Sequence, residues 1–529
     1  MLFAMVTLTA VARRLVVPVP IVLVLGGLAL GILPGVPSLR LEPDLVFLVF
    51  LPPILWSAAY GTSLREFKAN LRHILQLAFG LVIATTIAVT AVAHALLPGI
   101  SWPAALALGA IVSPPDAVAA TAMARRLGLP RRLVAILEGE SLVNDASALM
   151  LYRAAVTAAV AGGFSLGTAA GRFVLTTVAG ILIGVAIAAA AIAMMRRLHD
   201  SFSEIGLSLI APYAAWLLAE RAGASAVLAC VAGGMYLRQR FSDVAQPATR
   251  VQARAVWQQL VFLLNGVVFI LIGLQVATLR GTVLSGRMAT ILWQGLVVSL
   301  VVIGVRLVWV PLAVWLPGRL LASVRRREPP ATGREVFLIG WTGLRGVVSL
   351  AAALALPLTT ADGRPFPHRA EIVVITFMVI LVTLVVQGLS LPPVVRRLRL
   401  PRELAHEREE AHARAHAATA ALERLDRAAD GVGLPVEVVG RIREVYAERL
   451  RRVGPGDSGG RSLAEEEAAV RRLRAEILEA ERRALVDLRD REVISDEVLS
   501  RLEHELNLEA MRSGLGEVSP GGARRPPPR

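Results

Sequence analysis

Several charged side chains stand inside apolar runs that leave them no water. Asp116 lies in LGAIVSPPDAVAATAMA, and Glu138, Glu140 and Asp145 lie in ILEGESLVNDASALMLYR. Two arginines keep similar company, Arg306 in VVIGVRLVWV and Arg345 in GWTGLRGVVSLAAALALP. A charge near the middle of a bilayer costs about 2.5 kcal/mol or more, so such residues mark function. Ser141 and Asp145 are four apart, as are Glu140 and Asn144, which stacks each pair on one face of a helix. A serine hydroxyl, an aspartate carboxylate and an asparagine carbonyl are hard oxygen ligands. They suit a small dehydrated monovalent cation or a hard divalent one, not a soft metal. A carboxylate also takes a proton, so one group that accepts either cation or proton is the minimum machinery for exchange. A polar network that only fixes helix packing is the alternative, and Asp116 beside a broken helix argues against it.

That break follows from Pro114 and Pro115. Each removes a backbone donor and crowds the preceding turn, so the chain should unwind near Ser113–Asp116. Irregular backbone at membrane depth is tolerated only where it faces protein or a wet cavity. Gly340, Gly343 and Gly346 around Arg345 predict a second interruption. Arg306 and Arg345 offset buried negative charge, and Glu140 should pair with one of them. Arg153, two turns past Asp145, is read as snorkelling to the interface.

The elements that must position these residues are membrane helices. The 529 residues are 55% hydrophobic and only 18% charged, with mean hydropathy +0.61; soluble domains are about a quarter charged. This excludes a soluble enzyme and a disordered chain as readings of the whole. One cysteine, Cys230, excludes a disulfide scaffold. Apolar runs near the spanning length of about 20 residues occur at 1–12, 16–34, 43–60, 74–98, 103–124, 133–161, 168–195, 203–219, 223–237, 256–279, 288–317, 335–358 and 370–395. The first is short, consistent with an incomplete or misassigned start, and the boundary between the eighth and ninth is weak. Loops after odd-numbered spans hold 20 Lys and Arg, and loops after even-numbered spans hold 7. Positive loops stay cytoplasmic, so the N-terminus is expected outside and the C-terminus inside. The interrupted fifth and twelfth spans are seven apart. An odd offset inverts the second copy in the membrane, the inverted-repeat design of secondary transporters. The fold class expected is therefore an all-α polytopic membrane protein of about thirteen transmembrane helices, with inverted repeats, interrupted helices 5 and 12, and a helical cytoplasmic tail.

Charge divides the chain. The net charge is +15, but residues 1–398 carry 32 Lys and Arg against 15 Asp and Glu, while residues 399–529 carry 24 against 26. The basic excess belongs to membrane loops, with no basic face or aromatic interleaving to suggest nucleic acid. The domains expected are a transmembrane exchanger domain, 1–398, and a cytoplasmic helical tail, 399–529, disordered from about 513. Helical spacing in 435–452 and 462–511, a break at VGPGDSGGRS and an N-cap signal at Ser495 support the tail reading. No strand–GxGxxG–helix unit is present, so no nucleotide is expected.

The motifs SPPDAVAATA, LEGESLVNDASAL and GWTGLRGVVSLA, in this order and spacing, resemble the monovalent cation:proton antiporter-1 family, the bacterial and animal sodium/proton exchangers. FLPPILWSAAY fits too, and the resemblance covers roughly residues 5–398; VISDEVLSRLEHEL resembles the cytoplasmic end of bacterial members. The resemblance implies a thirteen-helix fold, usually a homodimer, and one-for-one exchange of Na⁺ (or Li⁺, sometimes K⁺) for H⁺ at the plasma membrane, with no cofactor. It maps ion ligands onto Asp145, Ser141 and Asp116, with Asn144 orienting the site. It pairs Glu140 with Arg306 and places Arg345 in the interrupted twelfth helix. Two departures remove oxygen ligands: Pro115 stands where many members have threonine, and Ser57 where some archaeal members have a carboxylate. Na⁺ and K⁺ therefore both stay open as substrates.

Competing classes have less support. A cation channel needs a polar pore or a carbonyl-lined filter, and no filter sequence is present. An intramembrane aspartyl enzyme could use Asp116 and Asp145, but no serine–histidine or metal-ligating histidine spacing accompanies them. A nucleotide-gated potassium exchanger would need the missing GxGxxG.

Overall fold

The computed structural model describes residues 1–15, 17–33, 46–116, 121, 123–124, 127–161, 166–198, 200–275, 288–320, 332–399, 404–432 and 436–451, with scattered positions from 473 to 509. Two compact units divide the chain, Met1–Arg402 and Glu403–Arg529.

The first unit is built of helices. These are α1 (Leu2–Leu15), α2 (Val19–Ile32), α3 (Leu51–Gly61), α4 (Leu71–Leu96), α5 (Trp102–Val112), α6 (Arg131–Ala161) and α7 (Leu166–Met195). There follow α8 (Ser201–Arg221), α9 (Ala226–Val244), α10 (Pro247–Leu274), α11 (Met288–Leu320), α12 (Gly333–Trp341), α13 (Val347–Leu354) and α14 (Arg369–Leu398). With α12 and α13 taken as two halves of one pass, the described helices make thirteen passes. The fold is all-α.

Among the described residues, six helices are long and apolar enough to cross a bilayer on length and composition alone, within α4, α7, α8, α10, α11 and α14. The helices that fall short of that test include those carrying the chemistry. The α6 helix holds charges, α5 stops early, and α12 and α13 are separated by residues 342–346.

Local signals set the ends. Ser101, Asp200 and Ser225 cap α5, α8 and α9 by accepting backbone N–H bonds from Ala104, Ser203 and Leu228, as N-cap side chains do. Thr332 and Glu335 form a capping box at α12. The boundary left weak between passes eight and nine is sharp: Gly223 takes φ +66 just after α8, a left-handed conformation glycine adopts without strain.

Packing sorts the helices into two groups. One joins α1–α3 with α7–α10, and the other joins α4–α6 with α11–α14. The second group is two triplets of passes, 4–6 and 11–13, seven apart. In the first group α2 and α10 approach so closely that a Cβ on Gly27 would strike the Ile270 carbonyl, and one on Gly273 the Val24 carbonyl. Small residues at such crossings allow the backbone contact that drives helix association in lipid. Helices 3, 4 and 14 each contain or follow a π turn, at Val46–Phe50, Gln76–Leu81 and Thr383–Gln387.

In the second unit α15 (Leu404–Val432) and α16 (Val436–Arg451) pack on each other, and Arg443 pairs with Asp426. The expected cap at Ser495 and the segment 513–529 lie outside the described residues.

Candidate functional site

Two broken helices meet in the second group. The α5 helix ends at Val112, and Ser113–Asp116 are not helical. The twelfth pass is interrupted over residues 342–346. Gly340, expected to share in that break, is instead inside α12 and buried. One flexible residue flanked by good helix context continues the helix; the interruption is made by Gly343 and Gly346. The breaks are stitched together directly, because the Asp116 amide donates to the Leu344 carbonyl at 2.7 Å. The Asp116 carboxylate packs on Gly346, where any Cβ would collide with it. Gly346 is the residue before α13, so the carboxylate sits near the positive end of that half-helix.

The α6 helix crosses beside the breaks. Asn144 is fully buried, and its Nδ2 donates to the Pro115 carbonyl at 3.0 Å. That carbonyl is one that the interrupted helix leaves without a partner. Asn144 Oδ1 has no hydrogen bond among the described residues. One turn on, Ser147 Oγ donates to the Ala78 carbonyl at 2.6 Å, which lies in the π turn of α4. Asp145 is 7% exposed and feels the charge of Asp116.

Glu140 and Arg306 form a bidentate ion pair, with N–O distances of 2.5 and 2.8 Å and both residues 1% exposed. Arg306 Nε also donates to the Ile339 carbonyl at 3.2 Å. The pair therefore ties α6 and α11 to the last turn of α12. Arg345 is fully buried, and its guanidinium nitrogens have no hydrogen bond among the described residues. Its backbone N–H donates to Thr383 Oγ1 at 3.1 Å.

A cavity of 890 Å³ lies between the two groups of helices. Its walls include Ile54, Val261 and Phe269 on one side and Asp116, Ser141, Asp145 and Ser349 on the other. Arg238, Arg250 and Arg254 line it too, at or near the loop after the ninth pass. The structure thus brings Asp116, Ser141 and Asp145 to one cavity. It places Asn144, Glu140, Arg306 and Arg345 behind its wall rather than on it. Arg153 is exposed. Residues that sequence reasoning did not single out include Ser147, Thr383 and Ser349. Hydroxyls in helices are common and carry no spacing signal, so nothing in the sequence pointed to them.

The arrangement can do three things chemically. It can strip a cation of water onto carboxylate and hydroxyl oxygens, load a proton on the same carboxylates, and fix both through a rigid, ion-paired frame.

Comparisons with known proteins agree in kind. The family model for sodium/hydrogen exchangers, transmembrane, matches residues 1–397. An uncharacterized Na(+)/H(+) exchanger of Mycobacterium tuberculosis is 39% identical over 96% of this chain and 94% of its own length. A sodium, potassium, lithium and rubidium/H(+) antiporter of Bacillus subtilis is 32% identical over 74% of this chain and 60% of its own. Among solved structures, the sodium proton antiporter MjNhaP1 of Methanocaldococcus jannaschii at pH 8 superposes with TM-score 0.57 at 19% identity, over 73% of this chain and 97% of that one.

Proposed function

The chain belongs to the family of transmembrane sodium/hydrogen exchangers, which are membrane transporters and not enzymes, and from that premise we propose that it exchanges one Na⁺ for one H⁺, electroneutrally, across the plasma membrane. The observation that carries this reading is the pair of carboxylates, Asp116 and Asp145, on one cavity at the crossing of two broken helices.

Charge counting supports the stoichiometry. Behind and on the cavity wall stand four buried or half-buried carboxylates (Asp116, Glu138, Glu140, Asp145) and two buried guanidiniums (Arg306, Arg345). Glu138 accepts from Thr62 Oγ1 at the end of α3 and is set apart from the count, which leaves three acids against two guanidiniums. Glu140 and Arg306 cancel as a bidentate pair, and in the overall tally the positive charge of Arg345 balances one further acid. One negative charge is left, which one monovalent cation or one proton neutralises. A site in low dielectric is neutral when it moves, because carrying net charge through the membrane is costly. Asp145 is the group for which cation and proton compete. Asp116 and the Ser141 hydroxyl complete the ligand set, and Asn144 holds the break in helix five in register. Rocking of the α4–α6 and α11–α14 group against the other turns the cavity from one side to the other, as in inverted-repeat carriers.

The loop-charge asymmetry supports a cytoplasmic mouth for the cavity, an outside N-terminus and a cytoplasmic tail. The protein works as a homodimer, with residues 1–398 as the exchanger domain and 399–529 as the tail. Li⁺ and K⁺ are further substrates to test; Pro115 removes a hydroxyl from the site, and the Bacillus subtilis relative is named for four cations.

Proteoliposomes with an internal pH dye, given Na⁺, Li⁺ or K⁺ in turn, test the reading. Na⁺-driven proton movement is expected, at an initial rate unchanged when valinomycin and K⁺ clamp the potential. A rate that scales with voltage would refute one-for-one exchange, and a current without proton coupling would mean a channel.

A further inference from the structure

Ser349 is the third residue of α13, close behind the break in the twelfth pass where Gly346 packs on Asp116. It lines the same cavity as Asp116, Ser141 and Asp145. It is 2% exposed, and its hydroxyl makes no hydrogen bond among the described residues. This is unusual for a helical serine, which ordinarily bonds back to the carbonyl three or four residues earlier. Here those residues are Gly346 and Arg345, and Gly346 is extended at φ −147, ψ −144. The interrupted helix leaves no carbonyl in place for the hydroxyl.

A buried hydroxyl without a partner is costly, and native proteins leave few. The other hydroxyls of this wall differ. Ser208 Oγ donates to the Ile205 carbonyl and accepts from Trp257. Ser57 and Tyr60 are half-buried rather than buried, and Ser141 and Thr121 have partners. Ser113, next to the prolines, is used by the Ala110 carbonyl, and Pro115 has no hydroxyl to give.

We infer that the Ser349 hydroxyl is a cation ligand of this exchanger, supplied by the second half of the twelfth pass where the fifth pass presents proline. The inference rests on the antiport reading and adds a residue that discriminates between cations. A hydroxyl oxygen with no competing donor is a hard ligand for a dehydrated alkali cation. It narrows the site, so its loss falls harder on Na⁺ than on the larger K⁺.

The test uses the full chain in detergent and in proteoliposomes, as wild type, Ser349→Ala, Ser349→Cys and Ser349→Thr. Removal of one contact to a charged ligand raises the apparent KM for Na⁺ roughly tenfold. This is expected in Ser349→Ala and Ser349→Cys with the maximal rate kept within about twofold, and with a smaller change for K⁺. Ser349→Thr retains the hydroxyl and the wild-type KM. Melting is the second readout. Na⁺, against choline, raises the melting temperature of wild type by binding the folded state, and this increment shrinks in Ser349→Ala. Without Na⁺, Ser349→Ala melts at or above wild type, since it removes an unpartnered polar group. Unchanged KM and an unchanged Na⁺ increment in Ser349→Ala overturn the proposal. So does a lower melting temperature without Na⁺ and with KM intact, which would make Ser349 structural. Absence of Na⁺-driven proton flux in wild type would overturn the antiport reading itself, and the melting arm still reports whether the bound cation needs Ser349.

Discussion

Removing one partner of the Glu140–Arg306 pair should destabilise the protein far more than removing both. Each residue is 1% exposed, and the pair is bidentate at 2.5 and 2.8 Å. Two charge-assisted hydrogen bonds at about 1.5–3 kcal/mol each give roughly 3–6 kcal/mol of contacts, in line with about 3–5 kcal/mol for breaking a buried pair. Arg306→Leu strands the Glu140 carboxylate and also frees the Ile339 carbonyl that Arg306 Nε holds at 3.2 Å. Glu140→Gln keeps one acceptor but strands a guanidinium beside Arg345. Each single variant should therefore lose about 3–5 kcal/mol, seen as a lower melting temperature in detergent. Glu140→Leu/Arg306→Leu removes both buried charges, and replacing a buried pair by apolar groups is often close to neutral. The double variant should thus melt above the less stable single one, with a coupling of about 3 kcal/mol. Additive losses, or singles that melt like wild type, would refute the claim that the pair frames the site. Cation affinity is the internal control. Neither residue lines the cavity, so surviving protein should keep the wild-type KM for Na⁺ within about twofold, the few tenths of a kcal/mol seen for sites without shared partners.

Asp145→Asn keeps the shape but loses charge and proton site; it should fold, melt near wild type and show no Na⁺-driven proton flux, and normal flux would remove Asp145 from the mechanism. Gly346→Ala places a methyl group on the Asp116 carboxylate and should cost about 1–3 kcal/mol as overpacking, with exchange falling more than stability; wild-type exchange would show that the two breaks are not packed as described. One proton competing with one cation means the apparent KM for Na⁺ rises about tenfold per pH unit on the acidic limb, while the alkaline limb slows as the proton-loaded form becomes scarce. Initial rates at equal inside and outside pH check this, in the full chain and in a version ending near Arg399. A KM flat with pH, or a bell that the shorter version turns into a plateau, would put pH control in the tail instead.

The amino-acid sequence determined the helices and where they fail. Apolar runs of spanning length, arginine-marked loops, tandem prolines before Asp116 and glycines around Arg345 are local signals. Each acts through backbone sterics or transfer to lipid, within a few residues of itself. That is why all thirteen passes and both interruptions were legible, and why Gly340, read with the same weight as Gly343 and Gly346, was misplaced by a few residues. Partner choice was not legible. Glu140 had two buried arginines available, and only the packing of α11 on α12 brings Arg306 to it while Arg345 stays without a hydrogen bond among the described residues. Nor could spacing show that Asn144 binds the carbonyl of Pro115 rather than facing the cavity, or that the Ser349 hydroxyl, without a hydrogen bond among the described residues, lines the same cavity as two carboxylates. These contacts join residues up to 166 positions apart. Their energies depend on which helices cross and at what depth. The primary chain decides that only through the sum of its packing, and no single stretch of it records the outcome.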